Sequence, residues 1–192
     1  MDNPIAKFEQ CWQAALADSP LQQKSAICVS TIDAQGFPAG RFVDLKAVTN
    51  DGFIFCTNLD SVKARHLQHN AKIALTAWWD HAGYQIRVVG LAQAITAAEA
   101  DRFWHARNRE AQLASSAFNQ SEPLSRETEL TTRFNQTADA HAGQPVPRPD
   151  NWGGFCVQPV SIEFLTFQND RLHLREYFAR SGDGWIKQLL QP

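Results

Sequence analysis

The residues best suited to chemistry form a short stretch near the C-terminus, Arg171-Leu172-His173-Leu174-Arg175. If the stretch is an extended strand, Arg171, His173 and Arg175 share one face, because side chains alternate between the two faces of a strand. Three groups that can carry positive charge repel one another and do not belong in a dry core. The face therefore lies in water or meets an anion, such as a phosphate or carboxylate that arginine grips in a bidentate way. The pattern alone leaves both interpretations open.

Two stretches nearer the N-terminus favour a ligand site. In Gly40-Arg41-Phe42-Val43-Asp44-Leu45-Lys46, polar and apolar residues are mixed on both faces of an extended strand, which is typical of a strand that lines a ligand. Thr57-Asn58-Leu59-Asp60-Ser61-Val62-Lys63 has the form of a strand followed by a helix start, where free backbone N–H groups favour phosphate. Helix capping by Ser61 and a solvated Lys63 would explain the same residues without a ligand.

A third set of residues has helical spacing. Phe103, Arg107 and Ala111 are four residues apart and share one face if a single helix runs through all three. This face would place one cation between an aromatic ring and a methyl group.

Composition limits the classes of function. The chain has 192 residues, of which 44% are hydrophobic, so we expect a single domain over 1–192 with a substantial core. The net charge is -2, with 18 basic and 20 acidic residues. This balance predicts no nucleic-acid or membrane partner, and any anion site must be local.

The cysteines and the N-terminus bear on the compartment. Cys11, Cys28, Cys56 and Cys156 are scattered without metal-ligand spacing, which predicts reduced thiols, no metal site and no disulfide. The start of the chain, Met1-Asp2-Asn3-Pro4, is acidic and leads into an amphipathic run, which predicts no signal peptide. No window is long and apolar enough for a membrane span. We therefore expect a cytoplasmic protein.

Hydrophobic periodicity predicts the elements that position these residues. Helices are predicted over 4–18, from Asp60 or Ser61 to about His69, and in a helical arm over about 96–140, with segments to about Arg109, over 111–118 and over 123–138. Strands are predicted over 26–32, 38–48, 53–57, 73–79, 84–95 and 155–167, from Arg171 onward, and over 185–190. Such an order predicts an α+β domain with six to eight antiparallel strands around a barrel-like sheet.

Together these segments resemble the pyridoxamine 5'-phosphate oxidase family, enzymes that use flavin mononucleotide (FMN). The resemblance runs from about Ser25 to the C-terminus, and its motifs occur in the family's order. They are Gly40-Arg41-Phe42-Val43-Asp44-Leu45-Lys46, Cys56-Thr57-Asn58, Ser61-Val62-Lys63, Tyr84-Gln85-Ile86-Arg87, Asn119-Gln120-Ser121, Val146-Pro147-Arg148-Pro149, Trp152-Gly153-Gly154, Ile162-Glu163-Phe164 and Arg171-Leu172-His173-Leu174-Arg175.

The resemblance implies an antiparallel six- to eight-stranded FMN-binding split β-barrel with flanking helices, and it implies a role for each matching residue. Lys63 and Arg41 would hold the flavin phosphate, while Gln120 and Ser121 would reach the flavin of the other subunit of a homodimer. Arg171 and His173 would lie over the flavin as catalytic residues. The implied flavin contacts are Arg41, Phe42, Val43, Asp44, Lys46, Cys56, Thr57, Val62, Lys63, Gln85, Gln120, Ser121, Leu165 and Arg175. The implied substrate contacts are Lys46, Phe103, Arg107, Ala111, Arg171 and His173.

The chain departs from the family pattern at several of these positions. Phe103 and Ala111 stand where the family has tyrosine and serine, Cys56 and Val62 where it has tyrosine and arginine, and Leu165 where it has tryptophan. Two lost hydroxyls remove two hydrogen bonds to a charged group, each worth roughly 1.5 to 3 kcal/mol, or about two to four decades of affinity. We therefore expect weak or absent oxidation of pyridoxamine 5'-phosphate.

These observations lead to one main hypothesis and two alternatives. The main hypothesis is an FMN-dependent oxidase that moves a hydride from a small anionic substrate, such as a pyridoxine phosphate, to flavin N5, with molecular oxygen as a partner. One alternative is a flavin oxidase like those of phenazine pathways, and the other is a non-catalytic flavin-binding or haem-binding split-barrel protein. The presence of both Arg171 and His173 favours an enzyme, because a flavin carrier needs only the phosphate contacts.

Overall fold

The computed structural model describes residues 3–192, so Met1 and Asp2, on which the expectation about a signal peptide partly depends, lie outside the described residues. Residues 3–192 form five α-helices and eight β-strands. In chain order these are α1 (Pro4–Ala17), β1 (Ala26–Ile32), β2 (Pro38–Thr49), β3 (Gly52–Asn58), α2 (Val62–His69), β4 (Lys72–Trp79), β5 (Tyr84–Ala94), α3 (Ala97–His105), α4 (Arg109–Ala117), α5 (Thr128–Ala140), β6 (Trp152–Thr166), β7 (Leu174–Ser181) and β8 (Gly184–Leu190).

The described strands form one antiparallel sheet in the order β3-β2-β1-β4-β5-β6-β7-β8. β3 also pairs with β6, which closes the first six strands of that order into a barrel and leaves β7 and β8 as an extension. In this closed ring, β2 lies opposite β5. The prediction of an α+β fold with a six- to eight-stranded antiparallel barrel is confirmed.

Alternate residues of strands such as β1 fill the barrel interior, whereas β3 is buried along almost its whole length. β1 alternates between half-buried and buried positions, with Ile27, Val29 and Thr31 inside. α1 closes one end of the barrel because its apolar stripe inserts Phe8, whose ring lies 4.5 Å from that of Phe53. Complete burial of such a side chain contributes about 1.5 to 3 kcal/mol.

A second buried cluster positions the helical arm. Trp104 of α3 is fully buried, its ring lies 5.0 Å from that of Trp152, and its Nε1 donates to the Val146 carbonyl at 2.9 Å. A capping box of Thr96 and Glu99 is present at the start of α3. The arm is thus anchored to the beginning of β6, and α4 comes to lie beside β2 and β3.

Three predicted elements were wrong in detail. The helix predicted to about Arg109 ends at His105, because Asn108 caps a new helix by accepting from the Ala111 N–H at 2.8 Å. The last helix of the arm begins at Thr128 rather than near Pro123. The strand predicted from Arg171 begins at Leu174.

Candidate functional site

A cavity of about 970 Å³ lies between β2, β3 and α4. Its size is that of a site for a small molecule or cofactor. Eight of the fourteen predicted flavin contacts line it, namely Phe42, Val43, Asp44, Lys46, Cys56, Thr57, Lys63 and Gln120. Three of the six predicted substrate contacts also line it, namely Lys46, Arg107 and Ala111. Ten different residues that were predicted to contact a ligand thus line one cavity, and their contacts with FMN or a substrate stay a prediction.

Lys63 is the buried cation of this cavity. It is only 8% exposed, although it lies in the first turn of α2. Its Nζ donates to Thr57 Oγ1 at 3.0 Å, to Ser61 Oγ at 3.3 Å and to Gln120 Oε1 at 2.9 Å. These three acceptors are neutral, and the described chain brings no carboxylate to this ammonium group. A buried cation without an anion is costly, so the arrangement favours an anionic ligand.

The electrostatics of Lys63 agree with this arrangement. Burial and, to a smaller extent, repulsion from the positive charge of Arg41 lower the pKa of Lys63 to about 8. Arg41 is not among the described residues that line the cavity. Its Nη1 instead donates at 2.7 Å to Oγ1 of Thr31, a fully buried residue of β1. Arg41 therefore affects Lys63 through its positive charge, although its side chain does not line the cavity.

Gln120 and Ser121 lie beside Lys63 of their own chain. Gln120 Oε1 also accepts from Thr57 Oγ1 at 3.0 Å, and the Val62 N–H donates to Ser121 Oγ at 3.3 Å. The resemblance assigned these two residues to the flavin of the other subunit, but within one chain they contact the residues around Lys63. The arm folds back because α3 and α4 are separate helices joined by a turn. Ser121 does not line the cavity among the described residues.

Arg107 lines the cavity beside α4. Its guanidinium packs on the Trp152 ring at 5.1 Å, and its Nη2 donates to the Ala111 carbonyl and to Ser115 Oγ, each at 3.0 Å. Burial lowers the pKa of Arg107, and the nearby Cys56 and Asp44 partly oppose this decrease. Its Nε is buried and has no hydrogen-bond partner among the described residues.

Ser115 is a cavity residue that sequence analysis missed. It lines the cavity together with Ala111 and Ala114 of the same helix. Extending the four-residue spacing of Arg107 and Ala111 by one step would have identified it. Phe103, in contrast, does not line the cavity; it packs on the second buried cluster, with the Arg102 guanidinium 4.9 Å from its ring. The break between α3 and α4 removes Phe103 from the predicted face.

The remaining polar groups of the cavity are mutually engaged. Lys46 Nζ lies 3.3 Å from Asp44 Oδ2. Burial raises the pKa of the Cys56 thiol to about 11, despite the positive charges of Lys46 and Arg107. The thiol is therefore protonated at neutral pH and is no nucleophile. Val62 lies outside the cavity lining of the described chain, with its side chain partly exposed.

The other predicted flavin contacts lie on a different wall. Gln85 of β5, Leu165 of β6 and Arg175 of β7 are direct neighbours across the sheet, and none of them lines the cavity within residues 3–192. Arg175 pairs with Glu163 at 2.8 Å, and Arg87 pairs with the same carboxylate. Burial by itself would raise the pKa of Glu163, but the hydrogen bonds and charges of the two arginines outweigh burial and lower it.

Arg171 and His173 lie in the turn between β6 and β7, so the prediction that they share a strand face with Arg175 is wrong. Arg171 is exposed and has φ 63°, a left-handed conformation that arginine rarely adopts. The Gln168 N–H donates to His173 Nδ1 at 3.0 Å. This bond leaves the ring proton of a neutral His173 on Nε2. The pair therefore sits on a turn fixed by its own hydrogen bonds, away from the cavity.

Two expected absences concern the described residues. Residues 3–192 contain no group of three His, Cys, Asp or Glu side chains that could hold a metal ion. The helices of the same residues include none that is long and apolar enough to cross a membrane. All four cysteines lie in this range and are free thiols.

Family models match nearly the whole chain. Residues 14–152 match the model described as pyridoxamine 5'-phosphate oxidase, and residues 152–192 match the model described as the pyridoxine 5'-phosphate oxidase C-terminal dimerisation region. The chain is 36% identical over 191 residues to a pyridoxine/pyridoxamine 5'-phosphate oxidase of Shewanella halifaxensis, covering 100% of this chain and 90% of the relative. It is 38% identical over 193 residues to the protein of the same name from Myxococcus xanthus, covering 99% of this chain and 92% of the relative.

Solved structures agree with these matches. PhzG from Burkholderia lata 383, in complex with tetrahydrophenazine-1-carboxylic acid, superimposes with a TM-score of 0.92 at 28% identity, covering 100% of this chain and 94% of that chain. A pyridoxamine 5'-phosphate oxidase-related, FMN binding protein from Nostoc punctiforme has the same fold, with a TM-score of 0.82 at 16% identity, covering 100% of this chain and 99% of that chain. Two consecutive family models match residues 14–192 of this split barrel, and relatives of similar size match it at 36% and 38% identity, so the chain belongs to the pyridoxamine 5'-phosphate oxidase family.

Proposed function

We propose that the chain is an FMN-dependent oxidoreductase that oxidises a small anionic substrate. The observation that carries the proposal is the buried ammonium of Lys63, held by neutral oxygens at the wall of a cavity of about 970 Å³. Membership of the family, the names of the relatives and the FMN binding protein among the similar structures support FMN as the cofactor.

The residues of the cavity fit a flavin phosphate. Lys63 would neutralise part of its charge. Thr57 Oγ1 already donates to Gln120 Oε1, so its hydroxyl hydrogen would reach a phosphate oxygen only in exchange for that bond. Ser61 caps α2 without a side-chain hydrogen bond to the helix; the Val62 N–H donates to Ser121, and the other free backbone N–H groups at the helix start remain available to an anion. Gln120 would have to share Lys63 with the phosphate. This set has one phosphate site and no glycine-rich turn for a dinucleotide.

When bound, FMN would supply the hydride acceptor at N5, and the protein would supply orientation and charge. Lys46 and Arg107 would bind the anionic group of the substrate, because both cations border the same cavity. When neutral, His173 would donate from Nε2 to the substrate, and Arg171 would add a positive charge. Both lie away from the cavity of their own chain, so they would act on the flavin site of the other subunit. Molecular oxygen is proposed as the electron acceptor.

A homodimer would bring the two separated groups of flavin contacts together. Trp152 lines the cavity, whereas Leu165 lies thirteen residues further along the same strand. At about 3.3 Å per residue this distance is roughly 40 Å, which is too far for one flavin to touch both. Gln85 is also on β5, across the barrel from β2. We therefore assign Gln85, Leu165 and Arg175, rather than Gln120 and Ser121, to the flavin of the other subunit.

The surface around these three residues suits a subunit interface. On the outer face of the sheet, Trp78, Val89, Leu91 and Ile186 are each about half exposed or more. An exposed apolar patch on a sheet is typical of a protein interface. The match of 152–192 to a dimerisation region supports the same assembly.

A flavin oxidase acting on a phenazine-type carboxylate is the second candidate. The high structural similarity to PhzG favours it, as does the apolar part of the cavity wall, which includes Phe42, Ala111, Ala114 and Phe118. Such a wall tolerates an aromatic ring better than a hydrated phosphate.

The experiment that tests the proposal is purification followed by absorbance spectroscopy and turnover. We expect flavin absorbance, release of FMN rather than FAD on denaturation, and oxygen consumption with one anionic substrate. Pyridoxamine 5'-phosphate and a reduced phenazine carboxylate would be compared directly. A protein that takes up no FMN would refute the proposal, and a haem Soret band, or FMN without turnover of either compound, would favour the binding-protein alternative.

A further inference from the structure

We propose that Ser115 determines specificity, and that together with Arg107 it binds the oxyanion of the substrate. The inference deepens the proposed function and rests on it, because it concerns how the same cavity recognises its substrate. It replaces Ala111, the position that the family resemblance pointed to, with a residue one helical turn further along α4.

The hydrogen bonds of Arg107 support this assignment. Its Nη2 is fixed between the Ala111 carbonyl and Ser115 Oγ, at 3.0 Å from each. Since Ser115 Oγ accepts this hydrogen bond, the hydroxyl hydrogen of Ser115 remains available for donation. Ser115 and Arg107 both line the cavity. A guanidinium and a hydroxyl donor side by side form a suitable site for a phosphate or carboxylate.

The surrounding charges support an anion at this position. Lys46 and Arg107 both act on the Cys56 thiol, so both positive charges lie at the same end of the cavity. Asp44 engages Lys46 at 3.3 Å, but Arg107 has no carboxylate partner among the described ion pairs. Its buried Nε also has no partner in the described chain. Neutral contacts therefore hold Arg107 in place, and the negative charge of Asp44 acts on it without forming an ion pair.

The position of Ser115 has a consequence for substrate fit. One turn of helix corresponds to a shift of about 5.4 Å along the axis. Ala111 offers only a methyl group, so an oxyanion bound at α4 gains a hydroxyl contact at Ser115 instead. The family pattern provides two hydroxyls, from tyrosine at position 103 and serine at position 111. The substrate of this chain would lose only one of these two contacts, because Ser115 supplies a hydroxyl in place of Ala111.

The test measures binding by isothermal titration calorimetry with two probe pairs. Pyridoxine 5'-phosphate is compared with pyridoxine, and phenazine-1-carboxylate with phenazine, so that the phosphate and carboxylate sources are distinguished. We expect Ser115→Ala to weaken the preferred anionic probe roughly tenfold to a hundredfold, since one hydrogen bond to a charged group is lost. Affinity for its uncharged counterpart should not change. Ser115→Thr, which keeps the hydroxyl, should retain the preference.

Two further variants separate recognition from structure. Ser116→Ala removes a neighbouring hydroxyl that is buried, has no hydrogen-bond partner within residues 3–192 and lies outside the cavity lining, so it should leave the affinity for both probes unchanged. Ala111→Ser combined with Ser115→Ala should restore part of the preference for the anionic probe. The inference is overturned if Ser115→Ala weakens charged and uncharged probes equally, if it weakens neither, or if the unmodified protein does not distinguish them. All titrations are made on FMN-loaded protein, with FMN content read from flavin absorbance. An unmodified protein that takes up no FMN would refute the proposed function, whereas the outcomes above concern Ser115 alone.

Discussion

Lys63 Nζ lies 2.9 Å from Gln120 Oε1, and both side chains belong to one chain. The loop that follows α4 therefore supplies a neutral acceptor to the buried cation of the cavity. A neutral amide leaves the positive charge available to a phosphate, whereas a carboxylate in the same place would neutralise it. This relationship makes the charge at position 120 a direct test of the phosphate site.

We predict that Gln120→Glu weakens FMN binding at least tenfold more than Gln120→Ala. The glutamate is nearly the same size, but it would form an ion pair with Lys63 and repel the phosphate. The alanine loses only hydrogen bonds of about 1 kcal/mol each. Quenching of flavin fluorescence on titration of the apoprotein gives both affinities, and thermal unfolding controls for folding. Equal effects of the two substitutions would argue against a phosphate at Lys63.

FMN affinity should also fall as pH rises through about 8, because that is the pKa of Lys63 in the folded protein and the neutral amine does not attract phosphate. The phosphate itself, with a second pKa of about 6, is already doubly charged in this range. Lys63→Met should bind FMN weakly, with no such pH dependence between about pH 7 and 9.5. The measurement is the same fluorescence titration repeated across pH, and an identical slope in both proteins would contradict the assignment.

The sign of the stability effect is opposite. The folded pKa of Lys63 lies below that of the unfolded chain, so between about 8 and 10.5 the unfolded state binds more protons. The contribution of Lys63 to the stability of the apoprotein therefore rises with pH in this window. Urea unfolding of the unmodified protein and of Lys63→Met at pH 8 and pH 10 would show this difference.

Arg171 offers a way to separate strain from function. Its φ of 63° disfavours a side chain with a Cβ, so Arg171→Gly should be more stable than Arg171→Ala by about 1 kcal/mol. Both variants should lose turnover to a similar extent, because both lack the guanidinium. Urea unfolding and oxygen consumption are the two measurements. If Arg171→Ala retains full turnover, the catalytic assignment of this residue is wrong; if FMN-loaded protein shows no turnover in any form, the binding-protein alternative gains support.

The barrel could be predicted from sequence because runs of apolar and β-branched residues, such as 26–32 and 53–57, are separated by turn residues, and both signals are local. Lys63 could be placed at a helix start because the strand-to-helix pattern of 57–63 is also local. The turn at Arg171 could not be predicted, since the alternation of Arg171, His173 and Arg175 fits a strand equally well. Its left-handed conformation depends on hydrogen bonds within the turn. The local sequence pattern also could not predict which cavity contacts come from one chain, because these contacts depend on how the helical arm folds back.

The proposed dimer can be tested by placing a charge on the outer face of the sheet. We expect Val89→Lys to shift the protein toward monomer and to weaken FMN binding, because Val89 lies on the same face as Gln85 and is about half exposed in one chain. Phe37→Lys, at an exposed aromatic residue in the turn between β1 and β2, serves as the matched control. Sedimentation velocity and flavin content are measured on both. A monomeric Val89→Lys that holds FMN as tightly as the unmodified protein would contradict the shared site.

The two departures on the helical arm should have unequal effects on turnover. Ala111→Ser adds a hydroxyl to the cavity wall, so we expect it to raise kcat/KM for pyridoxamine 5'-phosphate by about tenfold, the effect of one hydrogen bond to a charged group. Phe103→Tyr adds its hydroxyl at a residue that packs on the second buried cluster, and it should change kcat/KM little. The double variant should therefore resemble Ala111→Ser alone. Oxygen consumption with pyridoxamine 5'-phosphate measures all three. A gain from Phe103→Tyr alone would mean that this ring reaches the substrate in the working enzyme, and a low-micromolar KM for the unmodified protein would show that Ser115 and the two cations already suffice.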